Sequence, residues 1–172
     1  MITRRNFLKA GAAVAALSVV PNGFASILAK KEKAIGVQLY SVRDDLKTDF
    51  DGTMKALVDI GYKRMEAAGY RDGKFYGKSP AEMKKYLADL GARMVGSHTG
   101  SGLLAEGDTK GWDFWKKNAA DTAEVGCKWI VQAGYPSKDI KSLSDVKRLA
   151  DQFNKCGEIA KANGLRFAFH NH

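Results

Sequence analysis

From residue 34 onward, short apolar segments alternate with stretches in which apolar residues recur at helical spacing. Short apolar segments of four to eight residues are typical of buried strands, and recurrence at i, i+3 and i+4 predicts helices with one face in a core. The pattern predicts five strands, over 35–40, 62–67, 93–97, 129–133 and 165–170. It predicts four helices, on apolar stripes within 50–58, 80–90, 112–123 and 146–160. Strict alternation of strand and helix favours an α/β fold with a parallel sheet and right-handed crossovers.

A repeated junction supports this reading. Each predicted helix ends in a glycine, which is followed by one residue, a basic residue and the next apolar segment. The glycines are 30, 35 and 38 residues apart, and the four junctions are Gly61-Tyr62-Lys63, Gly91-Ala92-Arg93, Gly126-Cys127-Lys128 and Gly164-Leu165-Arg166. Glycine suits the left-handed residue that follows a helix end. We therefore expect four successive helix–glycine–strand units within one domain over 30–172.

Polar side chains recur where the predicted strands end. They are Gln38, Tyr40, Arg43, Glu66, Ser97, His98, Gln132, Tyr135, His170 and His172. A doubly wound sheet usually carries a glycine-rich loop after its first strand, and Ser41-Val42-Arg43 is not one. Collecting polar groups at the carboxyl ends of the strands is how a (β/α)8 barrel builds its site. We therefore expect a barrel.

The last predicted strand divides its side chains between two faces, because strand residues alternate in direction. Phe167 and Phe169 point one way, toward covering helices. Ala168, His170 and His172 point the other way, toward the inside of a barrel. Two imidazoles on one face can bind a metal weakly, whereas firm binding needs three or four ligands.

The first 29 residues resemble a twin-arginine export signal. Arg4 and Arg5 precede an apolar run over 10–20, and small residues follow. The run is too short to cross a bilayer core of roughly 30 Å, which argues against a stable membrane anchor. The resemblance implies recognition by the twin-arginine translocation machinery and a periplasmic or secreted domain.

Charge and cysteine content exclude other classes. The first 33 residues carry six basic and one acidic side chain, which leaves only +4 of the net +9 for the rest of the chain. This spread of charge does not favour a nucleic-acid partner. Cys127 and Cys156 have neither disulfide-framework nor metal-ligand spacing, so we expect buried thiols.

Several segments together resemble the xylose-isomerase-like TIM barrels, the sugar phosphate isomerases and epimerases. They are Ile35–Asp44, Met65–Tyr70, Gly96–His98 and Phe169–His172. Such barrels need about 250 residues. The resemblance therefore implies the N-terminal half of a TIM barrel, an incomplete barrel of about five parallel strands and four helices that stops after strand five.

The resemblance implies a sugar substrate and a divalent metal (Mn, Mg or Zn) held by carboxylates and a histidine. By position the strand-five ligand is His170, or His172 if the register differs by two, with the remaining ligands beyond His172. Glu66 and His98 are the candidate acid/base residues. A structural ion pair of Glu66 with Arg43, or a rim histidine satisfied by its neighbours, is the alternative. The candidate substrate-binding residues are Gln38, Tyr40, Arg43 and His172, for which a packed rim is the alternative.

These readings predict an exported sugar isomerase or epimerase that moves a proton next to a carbonyl. The alternatives are a keto-sugar lyase or dehydratase of the same fold, an endonuclease-IV-like enzyme, or a non-catalytic sugar-binding module that forms a homo-oligomer. Because five strands cannot close an eight-stranded barrel, we expect the chain alone to be unstable or dimeric, and inactive.

Overall fold

The computed structural model describes residues 35–171. The elements follow in the order β1 (Gly36–Gln38), a 3-10 helix (Leu39–Val42), α1 (Arg43–Thr48), α2 (Phe50–Ile60), β2 (Arg64–Ala67), β3 (Tyr70–Arg71), β4 (Lys74–Phe75), α3 (Pro80–Asp89), β5 (Arg93–Thr99), α4 (Thr109–Glu124), β6 (Trp129–Ala133), α5 (Leu143–Ala162) and β7 (Arg166–His170). Five parallel strands form one sheet in the order β1-β2-β5-β6-β7. This is the predicted α/β architecture, an incomplete barrel. Within the described part, no helix is both long and apolar enough to cross a membrane.

The boundaries of three predicted strands were wrong. β1 ends at Gln38 instead of residue 40, because the chain turns there into a 3-10 helix that buries Leu39 in the core. β2 begins only at Arg64, and β5 continues to Thr99. His98 therefore lies within a paired strand, where its register partner is Val131 of β6.

The sequence pattern predicted neither α1 nor the hairpin of β3 and β4. α1 is a short extra helix before α2. β3 and β4 form an antiparallel hairpin whose turn holds Asp72 and Gly73 at φ values of 52° and 77°. An Asp-Gly pair with both residues at positive φ is the preferred two-residue hairpin turn. The hairpin buries Phe75 completely.

The helix starts and ends follow the local sequence. Ser79 and Glu82 form a capping box at α3, and Ser142 and Asp145 form a second one at α5. The predicted junction glycines adopt left-handed conformations, with φ values of 116°, 70°, 101° and 71° at Gly61, Gly91, Gly126 and Gly164.

The core lies between the sheet and the helices. Trp115 of α4 is 1% exposed and packs edge-on against Phe167 of β7, with 5.9 Å between ring centroids. Phe153 of α5 lies 5.6 Å from Phe167 and 5.2 Å from Phe169. The two phenylalanines of β7 therefore face the helices, as predicted from alternation.

The opposite surface of the sheet, called here the inner face, carries the other set of side chains. An irregularity in the pairing of β2 and β5 sets which residues these are. Met65 pairs with Met94, but the next pair is Glu66 with Gly96, so Val95 is an extra residue in β5. A bulge of this kind reverses the alternation beyond it. Met94 faces the core, and His98 lies on the inner face together with Glu66.

Both cysteines are buried free thiols, as expected. Burial raises the pKa of Cys127 to about 12, with the nearby Glu66 carboxylate adding to the shift. Burial likewise raises the pKa of Cys156 to about 12, and the nearby Lys155 opposes the shift. Neither thiol is a nucleophile at neutral pH.

Candidate functional site

Four polar side chains meet on the inner face at the carboxyl ends of the strands. Gln38 ends β1, Glu66 lies in β2, His98 lies near the end of β5, and His170 ends β7. Gln38 and Glu66 are register partners, and their side chains point to the same side. The sheet thus brings together four residues that lie up to 132 positions apart in the sequence.

Gln38 joins the carboxylate to the first imidazole. Its side-chain Nε2 donates to Glu66 Oε1 at 2.6 Å and lies 2.9 Å from His98 Nδ1. An amide nitrogen carries two hydrogens, so it can donate to both groups at once. With Nδ1 as the acceptor, a neutral His98 ring carries its proton on Nε2. The contact fixes the tautomer of His98 and connects it to Glu66.

His170 lies next to His98. The two ring centroids are 4.8 Å apart, with an angle of 52° between the ring planes. His98 is half-buried and His170 is exposed. A cavity of about 300 Å³ lies between the strand ends and is lined by Gln38, Tyr40, Ala68, His98, Ala133 and His170. This volume is at the lower end of the range for small-molecule sites, about 300–1,000 Å³.

The structure separates the predicted substrate-binding residues. Tyr40 lines the cavity with an exposed fraction of 56%. The guanidinium carbon of Arg43 lies 4.6 Å from the centroid of the Tyr40 ring. Arg43 Nη1 donates a hydrogen bond to the Tyr40 carbonyl oxygen at 3.1 Å, and Nη2 forms an ion pair with Asp44 Oδ2 at 3.7 Å. It lines an adjoining cavity of about 430 Å³ with Tyr76. Among the described residues, Arg43 therefore does not form the alternative ion pair with Glu66.

Two other rim residues differ from expectation, and a third cannot be placed. Gln132 is buried and pairs in register with Thr99 on the helix side of the sheet, so the interpretation of Gln132 as a barrel-mouth group was wrong. Its Nε2 donates to the Ser101 carbonyl oxygen at 3.2 Å. Tyr135 is exposed and lines a separate loop cavity of about 480 Å³. His172 lies outside the described residues.

A support for the site went unpredicted. The Tyr76 hydroxyl accepts a hydrogen bond from the Ala68 backbone N–H at 2.9 Å and so anchors the loop that follows Glu66. Burial raises the pKa of Tyr76 to about 12. Beside it, the Tyr70 hydroxyl donates to Asp121 Oδ2 at 2.8 Å and ties the hairpin to α4. The Asp72-Gly73 turn was the available signal for this hairpin.

The described residues supply only part of a metal site. No group of three or more metal-ligating side chains occurs within 35–171. The adjacent rings of His98 and His170 provide two imidazoles, which are borderline ligands suited to zinc and similar metals. The fit with a divalent metal is therefore partial, and it is limited to the His170 end of the cavity.

An alternating parallel sheet with polar groups at its carboxyl edge defines the chain as part of a (β/α) barrel. The chain belongs to the family described as xylose isomerase-like TIM barrels, which matches residues 54–172. Residues 1–21 match the twin-arginine translocation pathway signal sequence. No curated protein gives a significant match.

Solved structures share the fold. A sugar phosphate isomerase/epimerase from Parabacteroides distasonis ATCC 8503 is 33% identical with a TM-score of 0.73, and the match covers 84% of this chain and 53% of that one. A second protein of the same description and organism is 29% identical with a TM-score of 0.67, over 81% and 55% of the two chains. The IOLI protein with a bound zinc atom is 16% identical with a TM-score of 0.53, over 71% and 45%, and shows the fold alone. The chain spans about half the length of these relatives.

Proposed function

We propose that this chain is the substrate-binding and acid/base half of an exported sugar isomerase or epimerase. The observation that carries the proposal is the position of Gln38 Nε2, within 2.6 Å of the Glu66 carboxylate and 2.9 Å of the His98 ring. Two acid/base groups held side by side at the mouth of a barrel suit proton transfer at a carbon next to a carbonyl. The twin-arginine signal supports a periplasmic or secreted destination.

In the proposed reaction, the Glu66 carboxylate takes the proton from the carbon next to the sugar carbonyl. His98 donates a hydrogen bond from Nε2 to the carbonyl oxygen and so stabilises the enediolate that forms. For isomerisation, Glu66 returns the proton to the carbon that carried the carbonyl, while the hydroxyl proton of the neighbouring carbon passes to the carbonyl oxygen by way of His98. Epimerisation adds a proton to the opposite face of the same carbon and so needs a second acid on that face, which we place outside the described residues. Gln38 keeps His98 in the tautomer that can donate from Nε2.

The remaining cavity residues orient the substrate. Tyr40 presents an exposed ring and hydroxyl to the sugar, and Arg43 holds that ring from behind. We propose His170 as one ligand of a divalent metal (Mn, Mg or Zn), with other ligands outside the described residues. When bound, such a metal would polarise the substrate carbonyl. Because the relatives are about twice as long, we propose that the described half has no activity on its own.

A chimera tests this function. Residues 34–171 are joined to the part of the 33%-identical Parabacteroides distasonis protein that lies outside the match. The chimera is incubated with ketoses, free and phosphorylated, in deuterated water, and proton NMR follows exchange at the carbon next to the carbonyl. We expect exchange with at least one sugar, and loss of exchange after chelation that Mn, Mg or Zn restores. Products with a new carbon–carbon double bond would instead indicate a lyase or dehydratase.

Two variants assign the exchange to this site. We expect E66Q and H98N each to lower kcat by about 10²–10⁴-fold, the usual contribution of a positioned acid or base. The control is D89N, which neutralises an exposed carboxylate of α3. A folded chimera that exchanges no sugar, or that exchanges equally well with E66Q and H98N, would refute the proposal.

A further inference from the structure

Three of the five strands begin with an arginine on the inner face. They are Arg64 of β2, Arg93 of β5 and Arg166 of β7. Arg64 and Arg93 are direct register partners, and Arg64 lies two residues before Glu66, on the same face of β2. Arg166 is the register partner of Trp129, which in turn pairs with Gly96 opposite Glu66. These three arginines are called here the arginine band.

The arginine band is uncompensated within the described part of the chain. All three side chains are exposed, and none forms an ion pair with a residue in 35–171. Arg166 lies over the Trp129 ring, with its guanidinium carbon 5.3 Å from the centroid. The Glu66 carboxylate lies on the same face, but it accepts a hydrogen bond from Gln38 and forms no ion pair with these arginines.

The band lies at the opposite end of the strands from the candidate site. Arg166 and His170 mark the two ends of β7, roughly 13 Å apart at about 3.3 Å per residue. Arginines at this end cannot contact a sugar in the cavity at the mouth. Neighbouring strands are about 4.8 Å apart, so Arg64 and Arg93 place like charges close together. Because both side chains are exposed, water screens the repulsion between their charges.

Closing a barrel would remove that water, because the interior of a (β/α)8 barrel is a packed core. Each unpaired buried charge costs several kcal/mol, and that cost is offset only when a partner charge and hydrogen bonds are present. The guanidinium fork matches a carboxylate with two parallel hydrogen bonds. A surface that covers the arginine band must therefore present carboxylates to it.

We propose that the arginine band is a docking surface for a complementary half-barrel whose strands carry carboxylates at their entry ends, facing inward. A second copy of this chain does not have that chemistry, because it would bring the same three arginines to the interface. Like-charge juxtaposition across an interface costs several kcal/mol. The inner face thus selects an acidic partner and disfavours a homodimer formed through it.

The chain itself provides the test. A triple variant, R64E/R93E/R166E, converts the band into the acidic surface that the proposal requires of a partner. Sedimentation equilibrium is run on the wild-type chain, on the variant and on an equimolar mixture of the two. We expect the mixture to form a one-to-one complex with a Kd at least about tenfold below that of either chain alone, and weaker in 0.5 M salt than in 0.05 M salt.

Matched controls separate the band from general charge attraction. K55E/K85E/K116E makes the same change in net charge on the helices, and R64Q/R93Q/R166Q removes the charge without reversing it. Circular dichroism verifies folding, and R93E/R166E replaces the triple variant if that one does not fold. Equal binding by the lysine variant, no complex in the mixture, or a wild-type homodimer that R64Q/R93Q/R166Q leaves unchanged would overturn the proposal.

Discussion

The hydrogen bond between Gln38 and Glu66 can be measured against an exposed contact of the same length. Gln38 Nε2 lies 2.6 Å from Glu66 Oε1, and Lys85 Nζ lies 2.6 Å from Asp89 Oδ2. The first pair is half-buried on the inner face, whereas the side chains of the second are 76% and 63% exposed. The two contacts thus have the same length, but the first joins a neutral amide to a half-buried carboxylate and the second joins two exposed charges.

The expected magnitudes follow from burial. A hydrogen bond to a charged group contributes about 1.5–3 kcal/mol when it is shielded from water. Partial exposure lowers this, so we expect a coupling free energy of about 1–2 kcal/mol for Gln38 and Glu66. An exposed i,i+4 ion pair contributes about 0.3–0.5 kcal/mol, which is our expectation for Lys85 and Asp89.

Two double-mutant cycles provide the measurement. The free energy of unfolding is determined by urea denaturation for Q38A, E66A and the double variant, and in parallel for K85A, D89A and their double variant. The coupling energy is the departure from additivity in each cycle. A Gln38–Glu66 coupling no larger than the Lys85–Asp89 coupling would refute the claim that the site is a shielded, preorganised unit.

The remaining predictions concern the two buried thiols and two glycines. We expect iodoacetamide at pH 8 to leave Cys127 and Cys156 unmodified in the folded chain and to label both in urea, as mass spectrometry would show. Burial raises the pKa of both thiols from 9.0 to about 12. The protonated thiols therefore contribute fully to the stability of the fold below pH 9, and this contribution is lost as the pH rises from 9 through 12. Urea midpoints that stay constant from pH 8 to pH 11 would contradict this prediction. We expect Gly126→Ala, at a φ of 101°, to lower the free energy of unfolding by about 1–2 kcal/mol. Gly157 lies inside α5 with open space around a new Cβ, so we expect Gly157→Ala to raise the free energy of unfolding by about 0.5–1 kcal/mol. Urea melts in which both glycine variants change the free energy of unfolding in the same direction would contradict this prediction.

Most of the fold could be predicted from patterns among residues that are close together in the sequence. Apolar periodicity is a property of neighbouring residues, so it identified the five strands and the four main helices. A left-handed glycine after each helix is likewise a local requirement, and Gly61 and Gly164 meet it. The brief hairpin at Asp72-Gly73 escaped because its strands are only two residues long.

The candidate site was predictable as a set of residues but not as a geometry. The alternation of β7 correctly separated Phe169 from His170. Only the three-dimensional register shows that Gln38, and not Arg43, contacts Glu66. Gln132 was misplaced because a polar residue at a strand end can point to either face, and its partners in the loop at Ser101 lie 31 positions away.

The extra residue at Val95 has a consequence for how this strand can change. Without it, simple alternation from Arg93 would turn Ser97 inward and send the His98 imidazole in among the helices. The number of residues between Arg93 and His98, more than their identity, determines which side the ring occupies. Substitutions in this stretch leave the orientation of His98 intact, whereas loss of a single codon would exchange the two sides of the strand and remove one of the two rings from the cavity.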